Sequence, residues 1–159
     1  MTEATPQAPT GVLFSLEKLY VKDSSFEAPN TPQAFLATSA PAVSVQIGIG
    51  HSAVDAAQGL YEVMLSVTVD AKNSDKSVFL AEVQQAGLFR ITGLPGEELP
   101  KALEIAAPNV LLPFARQVVN SLIEAGGFPQ LLINPINFEM LYLQKQQAAA
   151  AAPAPAAAH

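Results

Sequence analysis

Hydrophobicity in this chain alternates with a period of two from Val12 to Ile91, then changes to a helical period after Gly93-Leu94-Pro95-Gly96. The clearest stretch sets Tyr61, Val63, Leu65, Val67 and Val69 against Glu62, Met64, Ser66, Thr68 and Asp70, the pattern of a strand with one dry face. Val43, Val45, Ile47 and Ile49 repeat it, as do Phe79, Ala81, Val83 and Gln85, and an earlier strand runs from Val12 to about Lys22. Turn chemistry at Asn73-Ser74-Asp75 makes Asp70 to Lys76 a hairpin connection. Consecutive strands of this kind predict a four-stranded antiparallel meander.

The second half reads as helix. A short piece ends by Ala107 before Pro108, and Asn109 offers an N-cap to a longer one in which Pro113 falls within the first turn. Leu111, Phe114 or Ala115, Val118, Leu122 and Ala125 share a face that Leu112, Val119 and Ile123 broaden, so little of this helix suits water. It is expected to be buried in an assembly, with Val118 and Leu122 at a contact between subunits. Gly126-Gly127 supply a left-handed stop. Residues Phe128 to Ile136, with two prolines, form an extended apolar connection that either packs down or lines a groove. A last helix starts at Asn137, with Glu139 at the positive end of its dipole and Ile136 able to staple against Leu141. Strands followed by helices describe an α+β domain, the long helix and the C-terminal helix packed on one face of the sheet.

Half of the residues are apolar, yet only 14% are charged, against about a quarter in ordinary soluble domains. Such a surface is too poor in charge to cover itself, so apolar area is expected to face another chain or a client. The length fits one domain, residues 12–147, between a Pro/Thr/Gln/Ala-rich segment at 1–11 and an Ala/Pro tail at 148–159, both expected to be disordered. The absence of Cys excludes a disulfide framework and fits a reducing compartment. With no signal-like start and no run near the ~20 apolar residues a bilayer demands, a cytoplasmic location without membrane insertion is expected. Fourteen acidic against eight basic residues disfavour nucleic acid and favour a basic partner.

The catalytic inventory is thin. Gly48-Ile49-Gly50 before His51 is no nucleotide loop, because neither a third Gly nor a helix follows, and His51 reads as a loop histidine. Glu97-Glu98 read as solvated charges near a helix start. Neither enzymatic activity nor a cofactor or metal is expected.

Three strings carry more information than any periodicity: Tyr20-Val-Lys-Asp-Ser-Ser-Phe-Glu-Ala-Pro-Asn30, Phe79-Leu-Ala-Glu-Val-Gln-Gln85, and Pro108 to Gln130 ending in Phe-Pro-Gln. In order and spacing, from about Leu19 to Leu143, the chain resembles the SecB protein-export chaperones. The resemblance implies a homotetramer, a dimer of dimers, that holds unfolded secretory preproteins in the bacterial cytoplasm and passes them to the SecA ATPase. A SecB-like chaperone dedicated to a cytosolic partner without SecA is the alternative.

By position, the resemblance places a SecA-binding surface at Asp23, Glu27, Leu80 and Glu82. Strand parity puts Leu80 and Glu82 on the face opposite Phe79, Ala81 and Val83, which agrees with that placement. Ala81, Val83 and Gln85 match positions tied to tetramer packing. Phe79, Phe114 and Tyr142 match aromatics of a client groove, with Phe128, Leu131 and Ile133 in its lip. The chain has no Trp, so a groove position held by Trp in relatives falls here at Ser39 or a neighbour. The Ala/Pro tail lacks the acidic residues of an auxiliary SecA contact.

Overall fold

Four strands, β1 (Leu13–Glu27), β2 (Ala42–Asp55), β3 (Leu60–Asn73) and β4 (Lys76–Thr92), form one antiparallel sheet in the order β1-β4-β3-β2 in the computed structural model, which describes residues 11–151. The expected meander holds for β2, β3 and β4. β1 departs from it, because it pairs with β4 from Leu13↔Thr92 to Glu27↔Leu80 and gives a Greek-key order. The strands also run longer than the alternation suggests, β1 continuing to Glu27 through shifts of register after Leu16 and Val21. Those shifts scramble the period of two that would have revealed it. The β3–β4 hairpin closes at Ser74-Asp75, with Ser74 in the left-handed region at φ 54°.

Alternation delivers the core. Val63, Leu65, Val67 and Val69 of β3 and Phe79, Ala81, Val83, Phe89 and Ile91 of β4 all turn to the side covered by helix, and each is buried. α1 (Glu98–Lys101) passes through a π-helical segment (Ala102–Ala106) straight into α2 (Ala107–Ala125), so Asn109 caps nothing and Pro113 lies inside a continuous helix. The physical reason is the wider turn. Pro108 has no N–H for the carbonyl of Glu104, and Ala107 N–H reaches back five residues to Ala102 O, making room for the proline ring. Leu111, Ala115, Val119 and Ile123, four residues apart, form the stripe that α2 lays across β4 and β3.

α2 ends as the two glycines predict. Gly127 takes φ 88°, its N–H bonding Glu124 O at 2.9 Å while Phe128 N–H bonds Ile123 O at 3.1 Å, a Schellman stop. Gly126 is required for a further reason, since a Cβ there would collide with the ring of Phe26. α3 (Phe138–Ala151) is capped by Asn137, whose Oδ1 accepts from Met140 N–H at 3.0 Å. It rests chiefly on the π-helical segment and not across the sheet. Residues 148–151, expected to be disordered, continue this helix. The remainder of that expectation, and residues 1–10, lie outside the described residues.

Candidate functional site: an apolar channel and an acidic face

Four aromatic rings gather where the end of α2 meets the sheet. Phe128 lies 5.0 Å from both Phe35 and Phe79 and 6.4 Å from Phe26, and Phe26 stacks on Phe79 at 5.8 Å between centroids. Phe35, Phe79 and Phe128 border a cleft of about 430 Å³ that also takes in Ser39, Val43 and Leu131, with Phe26 packed behind Phe79 and Phe128. A second hollow of about 380 Å³ continues from Val43 and Leu131 past Val45, Ile133 and Ile136 to Ile47. A third, about 260 Å³, runs from Ile47 to Ile49, Leu141, Tyr142, Glu104 and Lys145. Shared walls join the three into one channel along β2, open to solvent and closed on its far side by the 128–136 segment and α3.

Two side chains of α2 hold that segment in place. Asn120 Oδ1 accepts from Leu131 N–H at 2.9 Å, and Arg116 Nη1 donates to Ile133 O at 3.4 Å. This tethering lays Leu131, Leu132 and Ile133 along the channel, with Ile133 buried and Leu132 85% exposed at its rim. Of the groove residues named from sequence, Phe79, Phe128, Leu131, Ile133 and Tyr142 all border the channel. Phe114 does not. It lies two residues from Arg116, about 200° around the helix, and is 39% exposed on the flank it shares with half-buried Val118 and Leu122.

Sequence reasoning missed Phe26 and Phe35. A period-two reading broken by the β1 bulge hid the first. Phe35 stands in a 3-10 turn (Gln33–Leu36) after the cis Thr31–Pro32 bond, and its proximity to the missing Trp position near Ser39 was the one available signal. Ala81, Val83 and Gln85, expected at positions tied to tetramer packing on the buried side, are 0%, 1% and 2% exposed within a single chain and covered by its own helix. Their small or flat side chains set how close α2 lies to the sheet, so a part in assembly is one played through the placement of α2. His51 is no loop residue, but an inward-facing member of β2 opposite Val63.

The other face of the sheet is polar. Glu27, Leu80 and Asp70 form one cross-strand row, Ser25, Glu82 and Thr68 the next, and Asp23 stands beside Gln84 and Ser66. Asp23 and Glu82 border a shallow hollow of about 140 Å³. The four residues named from sequence therefore share one surface, joined by Asp70. Towards the opposite end the charges are matched: Lys22 meets Glu62 at 2.6 Å and Arg90 meets Glu17 at 2.5 Å. Among the described residues Asp23, Glu27 and Glu82 have no ion-pair partner, and Asp70 has Lys72 at 3.4 Å. Tyr20 O–H donates to Glu62 at 2.6 Å. Burial first, and then that bond and the carboxylate's charge, push the phenol up to about 12, while Lys22 and Tyr20 hold the Glu62 carboxyl below its usual range.

Residues 7–149 match the family model described as preprotein translocase subunit SecB. The chain belongs to the SecB family. It is 47% identical to the protein-export protein SecB of Dechloromonas aromatica over 142 residues, 89% of this chain and 92% of that one. It is 48% identical to the protein of the same name from Chromobacterium violaceum, over 84% of this chain and 87% of that one. A SecB-like chaperone of Mycobacterium tuberculosis, solved in complex with a ChAD peptide from an antitoxin, shares the fold at a TM-score of 0.61 and 18% identity, covering 77% of this chain and 90% of that one. No helix among the described residues is long and apolar enough to cross a membrane.

Proposed function

We propose that this SecB-family protein is a holdase that binds unfolded preproteins in the channel along β2 and keeps them competent for export. The observation that carries the reading is the channel's continuity: aromatic rings at one end, branched aliphatics along the middle and Tyr142 at the other. Apolar walls without a fixed array of polar groups accept many sequences. Because β2 is an edge strand, its unpaired backbone groups run beside the channel, where an extended client can add main-chain hydrogen bonds. Binding the unfolded chain lowers the concentration free to fold or aggregate.

The acidic face supports delivery to SecA. Carboxylates at Asp23, Glu27 and Glu82 beside the half-exposed Leu80 suit a basic, partly apolar partner, and they lie on the side of the sheet away from the channel. Client and motor can then be held together. A cytoplasmic homotetramer is part of the same reading, supported by the apolar flank of α2 at Phe114, Val118 and Leu122.

The deciding experiment follows the refolding of a slow-folding preprotein with purified protein present. Refolding is expected to slow in proportion to the chaperone added, and an unaltered rate at excess chaperone sinks the proposal. Glu82→Lys is expected to weaken SecA binding while client capture persists. SecA affinity equal to that of the wild type removes the motor from the scheme.

A further inference from the structure

Glu104 is the one charged side chain among the described residues that is buried, at 8% exposure, and it sits on the π-helical segment beneath α3. Lys145 of α3 brings Nζ to 2.5 Å from Glu104 Oε1, and His51 of β2 places Nε2 at 3.7 Å from the same oxygen. Three elements thus meet at one carboxylate, in the last hollow of the channel with Ile47, Ile49, Leu141 and Tyr142. α3 has little else to hold it. Of its residues only Phe138, at its start, is buried, while Met140 and Leu143 are more than half exposed at 55% and 53%.

A buried carboxylate is tolerated where a cation meets it and is strongly disfavoured where the cation is removed. Swinging α3 outward separates Lys145 from Glu104 and leaves only the more distant His51. The pair therefore favours one position of α3 over others, although the Lys145 side chain itself is 65% exposed. We propose that Lys145 and Glu104 form a latch that holds α3 closed over the end of the channel and gates entry of a client there. The gate rests on the reading of the channel as the client site; the latch itself does not.

Hydrogen exchange in the full-length, client-free protein tests the latch directly. A helix of 14 residues released from its support is marginal in water and frays. Lys145→Gln is thus expected to speed exchange of the amides at 142–147 on the order of tenfold, with α2 unaffected. The exchanged pair Glu104→Lys with Lys145→Glu is expected to restore slow exchange. Should variants at Glu104 fold poorly, Lys145→Gln alone decides, since its side chain is 65% exposed. Unchanged exchange in Lys145→Gln overturns the latch. The association rate of an unfolded aromatic-rich peptide is expected to rise in the same variant, and faster exchange without faster association overturns the gate. A wild-type protein that binds no such peptide counts against the client reading, and exchange still decides the latch.

Discussion

Tyr20, Lys22 and Glu62 show how single side chains feel their surroundings across the sheet. The phenol's raised value means that the folded state favours its neutral form, so this contribution is complete below the unfolded value of 10.0 and is lost as pH climbs through about 12. The carboxyl of Glu62 runs the other way: its support is present above its ordinary value and fades as pH falls. Glu62→Gln is expected to bring Tyr20 partly back towards 10.0, because burial remains as the largest cause; a phenol absorbance titration measures it. Phe128 is the residue on which the aromatic cluster turns, touching Phe26, Phe35 and Phe79. Phe128→Ala is expected to weaken binding of an unfolded apolar peptide by roughly tenfold, read by fluorescence anisotropy. An unchanged affinity would remove the cluster from the client site.

Elements were legible where the spacing was clean and blurred where geometry intervened. Val63 to Val69 announced β3 because every second side chain faces the core. β1 was cut short at Lys22 because its bulges shift the register. Pro108 suggested a break between helices, and a π-turn absorbed it instead. Phe128 to Ile136 posed the opposite difficulty: composition marked it as packed or groove-lining, but only the bonds from Asn120 and Arg116 decide which of its side chains turn inward. Asn120→Ala is expected to destabilise the protein by about 1 kcal/mol and to speed hydrogen exchange at the Leu131 amide. Denaturant melts and exchange mass spectrometry read the two effects. A stability loss without loosening at Leu131 would leave the tether with no part in shaping the channel.

For the whole molecule, Phe114 is exposed on a flank of α2 where Val118 and Leu122 pack only partly against the chain's own core. Val118→Glu is expected to lower the mass measured by light scattering below that of the proposed four subunits, at some cost to the single chain because Val118 also packs against its core. A mass unchanged at four subunits moves the proposed interface elsewhere. Salt is expected to weaken SecA binding more than client binding, because exposed carboxylates are screened and apolar contact is not. Titrating both complexes at two ionic strengths checks the difference. The sequence by itself determined the strands, their dry and wet faces, the glycine stop after Ala125, the Asn137 cap and the membership signalled by its three strings, because each is a local rule of spacing or backbone freedom. Only the tertiary structure decided that β1 lies beside β4, that Phe26 and Phe35 complete the aromatic cluster, that Ala81, Val83 and Gln85 are sealed within one chain, and that Glu104 meets Lys145. These depend on which distant segments touch, and residues 41 positions apart in the chain carry no period that could reveal it.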